Sequence, residues 1–167
     1  MDEIFKRRSI RKFTDEKVDD DKIEKLLRAA MQAPSAANQQ PWEFIVVKEK
    51  TTLKALSEVS LYAKPTESSS AAILLLADSQ YLKVPTAWEQ DLGAATQNIL
   101  LEAVHLNLGA VWMGIATSET AAENIAKLFE LPENIKPFAL IAVGYPAEQK
   151  NEFVDRYKPE RIHYEKW

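Results

Sequence analysis

Residues 71–77 read Ala-Ala-Ile-Leu-Leu-Leu-Ala, the longest apolar run in the chain. A strand with one wet face alternates apolar and polar residues, yet Ala72 to Ala77 is apolar at every position. Such a segment suits a strand covered on both faces, so packed layers are expected on either side of it. The run is far short of a membrane span.

Outward from this strand the pattern alternates. Trp42 to Val47 is rich in aromatic and β-branched residues and reads as a second strand. Ala110 to Met113 and Phe138 to Val143 read as two more, the last closed by Gly144-Tyr145-Pro146. Ile23, Leu26, Leu27, Ala30 and Met31 follow helical spacing, with Asp21 and Glu24 as a capping box in front and a stop expected before Pro34. A short helix is expected from Thr51 to about Leu61, then a polar loop through Pro65 and Ser68 to Ser70. Thr86 to Leu108 is the longest helical pattern, with Gly109 as the expected left-handed cap residue. It is apolar nearly all round, so it is buried on all sides, and a subunit interface is the favoured reason. Ser118 caps a further helix through Ala122, Ile125, Ala126 and Phe129. The connections are too irregular for regular βαβ units. The expected fold class is α+β, a single domain over residues 1–167 with a central mixed sheet of four to five strands flanked by helices. The tail from Lys150 to Trp167 is charged but carries Phe153, Val154, Tyr157, Ile162, Tyr164 and Trp167, which argue that it docks on a surface.

Composition narrows the function. The 167 residues carry 21 basic and 25 acidic side chains, a net charge of −4, which disfavours nucleic acid as the main partner. The chain has no cysteine, and this removes disulfides, thiol nucleophiles and thiolate metal sites together. His105 and His163 are too few and too scattered for a metal site and read as structural. The N-terminus is charged from Asp2 onward and does not read as a signal peptide, so a cytoplasmic protein with no membrane partner is expected.

Two polar clusters remain to be explained. Arg7-Arg8-Ser9-Ile10-Arg11 packs three guanidiniums and a hydroxyl into five residues, enough donors to hold a phosphate dianion. Pro34-Ser35-Ala36-Ala37-Asn38-Gln39-Gln40-Pro41-Trp42 is a proline-bracketed loop of amides and a hydroxyl, suited to the edge of a flat polar heterocycle. Turn chemistry accounts for half of that loop, and Asn38 and Gln40 are the excess. A phosphate holder plus a heterocycle reader points to a nucleotide-like cofactor. The glycine cradle usual for phosphates is absent, because the chain has only 4 Gly and they do not cluster.

These two clusters resemble the nitroreductase family. So do the helix segment Gln90-Asp-Leu-Gly-Ala-Ala-Thr-Gln-Asn98, the strand Gly109-Ala-Val-Trp-Met-Gly114 and the ending Arg156-Tyr-Lys-Pro-Glu-Arg-Ile-His-Tyr-Glu-Lys-Trp167. The resemblance covers nearly the whole chain with the motifs in order. It implies a homodimer with FMN at the interface and a C-terminal tail docked on the partner subunit. NADH or NADPH would be the transient hydride donor, and a small-molecule acceptor such as a nitroaromatic or a quinone would be reduced in a ping-pong cycle. Carried onto matching positions, Arg7 and Ser9 would contact the FMN phosphate, Arg8 would lie beside them and Arg11 would reach the N1/O2 side of the ring. Pro34, Ser35, Ala36 and Asn38 would come from the other subunit and line the flavin. The backbone of Trp112, Met113 and Gly114 would face the ring near N5, and Arg156 would close the phosphate site. Val154 stands where many relatives have a second basic residue, which shifts weight onto the N-terminal cluster. No catalytic side chain and no metal is implied, since the flavin carries the chemistry. The same resemblance admits a reductive dehalogenase of the iodotyrosine deiodinase-like branch, for whose lid the Ser57 to Ser70 stretch is short. It also admits a flavin-binding or redox-sensing module that does not turn over.

Overall fold

The computed structural model describes residues 2–167. In chain order the elements are α1 (Asp2–Lys6), α2 (Asp20–Met31), β1 (Trp42–Val47), α3 (Lys50–Leu56), β2 (Ala71–Asp78), α4 (Trp88–His105), β3 (Gly109–Gly114), α5 (Glu119–Leu128) and β4 (Ile135–Gly144). The four strands form one sheet in the order β1-β2-β4-β3. Leu74 stands at its centre, opposite Ile45 on one side and Leu140 on the other.

Every neighbouring pair in this sheet is antiparallel, so the mixed sheet expected from the alternation of strands and helices is corrected. The reason is topological. The crossover from β2 through α4 to β3 does run between two strands of like direction, but β4 inserts between them and pairs antiparallel with both. Among the described residues the one parallel pairing is an isolated bridge of Ser9 to Ala110.

β2 is buried from Ala71 to Ala77 and sorts its side chains by parity. Ala71, Ile73, Leu75 and Ala77 join Ile23, Leu26, Leu92, Ala95 and Ile99 in the layer under α2 and α4. Ala72, Leu74 and Leu76 join Leu53, Leu56, Val111, Ala121 and Ile125 in the layer under α3 and α5. The molecule is a three-layer sandwich built on one doubly covered strand. Ala95 and Ile99 therefore belong to the chain's own core. The remaining side of α4, with Asn98, Leu101 and His105, lines an open cavity of about 400 Å³ together with Ile4 and Ala29. Among the described residues no helix is long and apolar enough to cross a membrane.

Local chemistry sets the ends of these elements. The Asp21/Glu24 capping box does not form. The helix starts at Asp20 after Asp19, and Glu24 pairs with Arg28 at 2.6 Å, one turn on. α3 stops at Leu56, short of the expected Leu61, and leaves Leu61 and Tyr62 exposed on the following turn. Ser118 caps α5 as its spacing predicts, its Oγ accepting from the Ala121 N–H at 3.3 Å. The tail is extended and largely exposed. Phe153 meets Phe5 with ring centroids 5.9 Å apart, while Tyr157, Tyr164 and Trp167 stand in solvent.

The end of α4 shows how a glycine can be misread. The left-handed residue is Asn107, at φ 61°, not Gly109. Asn107 N–H bonds Val104 O at 3.0 Å and Leu108 N–H bonds Ala103 O at 2.7 Å, the paired bonds of a Schellman cap. Gly109 is needed for space instead. A Cβ there would lie 2.6 Å from Ile10 Cγ2, and Ile10 is fully buried against β3. Gly109→Ala should destabilise the protein by about 1–3 kcal/mol through overpacking, read as a lower urea midpoint.

Candidate functional site

The first half of the site is built by docking residues 7–11 onto the edge of β3. Ile10 enters the core, and its N–H bonds Ala110 O at 3.0 Å. That single apolar anchor places Arg7, Arg8, Ser9 and Arg11 along the strand edge. The Arg8 guanidinium folds back, with Nη1 donating to Arg7 O at 2.5 Å and Nη2 to Phe5 O at 2.6 Å. Its Nε is buried with no partner. Arg11 Nη1 donates to Ser9 O at 3.2 Å.

Charge is concentrated here without compensation. Arg7 binds its proton less tightly than an ordinary arginine, first because it is partly buried and then because Arg156 and Arg8 lie close by. Among the described residues the ion pairs fall to Lys6, Lys12, Arg28, Lys48 and His105, and none to Arg7, Arg8, Arg11 or Arg156. Guanidiniums gathered with no carboxylate, beside an unsatisfied buried N–H, fit an anionic group with several acceptor oxygens.

β3 continues from this cluster. Trp112, Met113 and Gly114 pair with Ile141, Leu140 and Ala139 of β4. Among the described residues no strand covers their other edge, so outward backbone groups there are available to a ligand. Met113 packs into the core beside Ile10 and Phe13. Trp112 is 38% exposed and leans on Phe138, whose ring also meets Trp88.

The Pro34–Trp42 loop is held differently. Ala37, Asn38 and Gln40 all have positive φ, at 50°, 51° and 46°, with no glycine among them. Such backbone is strained and persists only where its surroundings enforce it. From within, Ser35 Oγ accepts from Gln40 N–H at 3.0 Å; from outside, the loop is held by Asp91, a 4% exposed carboxylate in the first turn of α4. It accepts from Ala36 N–H at 2.8 Å and from Gln39 Nε2 at 2.5 Å. Gln39 Oε1 in turn accepts from Val84 N–H at 2.9 Å. Asn38 and Gln40, the residues suited to reading a heterocycle, bond each other at 2.6 Å.

The two halves do not meet at one point within a protomer. The loop is tied to Asp91 near the start of α4, while Glu3 of α1 meets His105 at its end, 3.3 Å away. At 1.5 Å rise per residue the helix separates these ties by about 21 Å. Ser9 sits on the start of β3, and Arg7 lies close to Arg8 and Arg156; among the described residues no hydrogen bond or ion pair joins these four to Pro34, Ser35, Ala36 or Asn38. Among the described residues no group of three or more His, Asp or Glu side chains is arranged to hold a metal ion.

The sequence motifs thus fall in a docked arginine strip, on an edge strand and in a strained amide loop. Residues 4–88 and 85–145 match the model of the nitroreductase family. The chain belongs to that family. A provisionally named NADH dehydrogenase/NAD(P)H nitroreductase of Archaeoglobus fulgidus is 46% identical over 98% of this chain and 96% of its own length. The crystal structure of a provisionally named NADH oxidase from Clostridium acetobutylicum superposes with a TM-score of 0.98 at 52% identity, over 99% of this chain and all of that one. An FMN-dependent nitroreductase from Clostridium difficile gives a TM-score of 0.91 at 30% identity, with both chains covered in full.

Asp91 and Gln39 were not singled out by the nitroreductase pattern as site residues. An acid in a first helical turn reads as a favourable dipole partner, and only its place on the buried face, beside Leu92 and Ala95, marks it as different. Asp91→Ala should remove the acceptor of the half-buried Ala36 N–H and the nearer acceptor of the buried Gln39 amide and cost about 1–3 kcal/mol, seen as a lowered thermal midpoint. Asp91→Asn, which keeps one acceptor oxygen, should lose less.

Proposed function

We propose that this chain is an FMN-dependent oxidoreductase that takes hydride from NADH or NADPH and reduces electrophilic acceptors such as nitroaromatics and quinones. The observation that carries the reading is the uncompensated gathering of Arg7, Arg8 and Arg156, on a segment docked to the edge strand β3. The names of the relatives, which include an FMN-dependent nitroreductase, point the same way.

In this reading Arg7, Ser9 and Arg156 hold the FMN phosphate, and the unpartnered Nε of Arg8 gains an acceptor. Ion-paired hydrogen bonds of this kind are the strong ones, and they offset the repulsion among the guanidiniums. Arg11, exposed beyond the anchor Ile10, takes the role of balancing negative charge on the N1/O2 side of the ring in this reading. Backbone groups of Trp112 to Gly114 orient the ring without adding a titrating group of their own. FMN, when bound, supplies two-electron carriage between a hydride donor and an acceptor. The protein then needs no nucleophile of its own, consistent with a chain that has no cysteine and only 2 His.

The loop residues Pro34, Ser35, Ala36 and Asn38 belong to the flavin site of a second copy, so the working unit is a homodimer. Three features support this. The loop lies about 21 Å along α4 from the α1 end of the same chain. The tail exposes Phe153, Val154, Tyr157, Ile162, Tyr164 and Trp167, more apolar surface than an isolated arm keeps in water. Ile4 and Phe5 are also exposed, beside the open side of α4. A cytoplasmic location belongs to the same reading.

Purified protein is expected to be yellow, with about one non-covalent FMN per chain. Arg7→Ala should weaken FMN binding roughly 10- to 150-fold, the loss of one charge-assisted contact worth about 1.5–3 kcal/mol. Colourless protein that gains no flavin on titration would defeat the reading. Donor and acceptor use one pocket in turn, so double-reciprocal plots for NAD(P)H and acceptor should be parallel. Intersecting lines would mean that both bind together.

A further inference from the structure

After β4 the chain turns back and runs beside residues 8–14 as a strap. Two backbone bonds start it, Thr14 N–H to Tyr145 O at 2.9 Å and Ala147 N–H to Lys12 O at 3.1 Å. Lys12 and Glu148 pair across it at 2.7 Å. Further along, side-chain amides take over the role of the backbone carbonyls. Gln149 Oε1 accepts from Arg11 N–H at 3.0 Å, and Asn151 Oδ1 accepts from Arg8 N–H at 3.1 Å. The other end of the Asn151 amide donates to Leu108 O at 3.0 Å, in the turn that leads into β3. One half-buried amide therefore ties three segments: the arginine strip, the start of β3 and the tail that carries Arg156.

We propose that Asn151 is the positioning residue for the phosphate end of the flavin site, and so sets the preference for a phosphorylated flavin over an unphosphorylated one. The proposal rests on the FMN reading above. Asn151 fixes the Arg8 peptide between α1 and the Ser9–Ala110 bridge, which orients Arg7 and Ser9 on either side. It also fixes the chain from which Arg156 projects, with Val154 N–H to Phe5 O at 3.4 Å as the next hold. Removing the amide frees both sides of the anion cradle at once. The strand edge at Trp112 to Gly114 is held by β4 and does not depend on it.

The test compares FMN with riboflavin, which lacks the phosphate, by fluorescence titration of flavin-stripped protein. Wild type should bind FMN much more tightly than riboflavin. Asn151→Ala should lower FMN affinity about tenfold, the order expected for one or two lost hydrogen bonds, and leave riboflavin affinity within about twofold. Asn151→Asp keeps the side chain's shape and its acceptor for Arg8 N–H, but loses the donor to Leu108 and adds an anion beside the arginines. It should reduce the FMN-to-riboflavin ratio at least as far, and it serves where the alanine variant folds poorly. A ratio unchanged in both variants, or equal losses for both flavins, would overturn the positioning role while leaving the phosphate site intact. Wild type that binds the two flavins equally would overturn the phosphate site itself, and this inference with it.

Discussion

The rest of the structure depends on the burial of β2 on both faces. Seven consecutive apolar residues cannot be left against water on either side, so the chain must supply a helical layer above and another below. α2 and α4 supply one, α3 and α5 the other, and β1 and β4 flank β2 within the sheet. Once β4 has taken the remaining side of β2, β3 is left at the sheet's edge. The candidate site is a consequence of that position, because only an edge strand has backbone free to face something other than protein.

An open edge is also a hazard, since unpaired strand groups invite another strand. The N-terminal segment covers the beginning of β3 through the Ser9–Ala110 bridge and the burial of Ile10 against Gly109. The strap after β4 locks that segment in place. What stays open is the stretch from Trp112 to Gly114, continuous with the arginine strip. Packing of one isoleucine thereby does two things: it closes half of an edge and anchors the segment that carries three arginines.

Much of this was legible in the residues. β1 starts and ends where its aromatic and β-branched run does, and Ser118 caps α5 as its spacing says. The continuous apolar run predicted a doubly covered strand, and parity along β2 then divided the core into two layers. Strand order was not legible, because it depends on β4 inserting between β2 and β3 rather than on any local pattern. Gly109 was read through its conformational freedom, whereas what matters is the space that Ile10 occupies. The arginine cluster was visible as composition. That Arg8 turns back onto the carbonyls of Phe5 and Arg7 was not, since its neighbours decide where a long side chain goes. The loop's strain was hidden for a related reason. Residues with positive φ are ordinarily signalled by glycine, and here Ala37, Asn38 and Gln40 sit in a loop whose Ala36 and Gln39 are tied to Asp91, distant in sequence.

Those exceptions to local rule lie in two places and share one logic. A consistent sequence would put glycine in the loop, carboxylates beside the arginines and a partner on the buried Nε of Arg8. Each departure raises the free energy of the chain standing alone. The loop is also held by Asp91 and Gln39, and the arginine strip by Ile10, Gln149 and Asn151. Groups held against their local preference in this way are already arranged before a ligand arrives, so binding need not supply the ordering. The unpaired charge favours a phosphate, and the strained loop presents amides at a fixed angle. Strain in the loop and repulsion in the arginine strip are each structurally expensive, and both are what the proposed anionic-cofactor site requires.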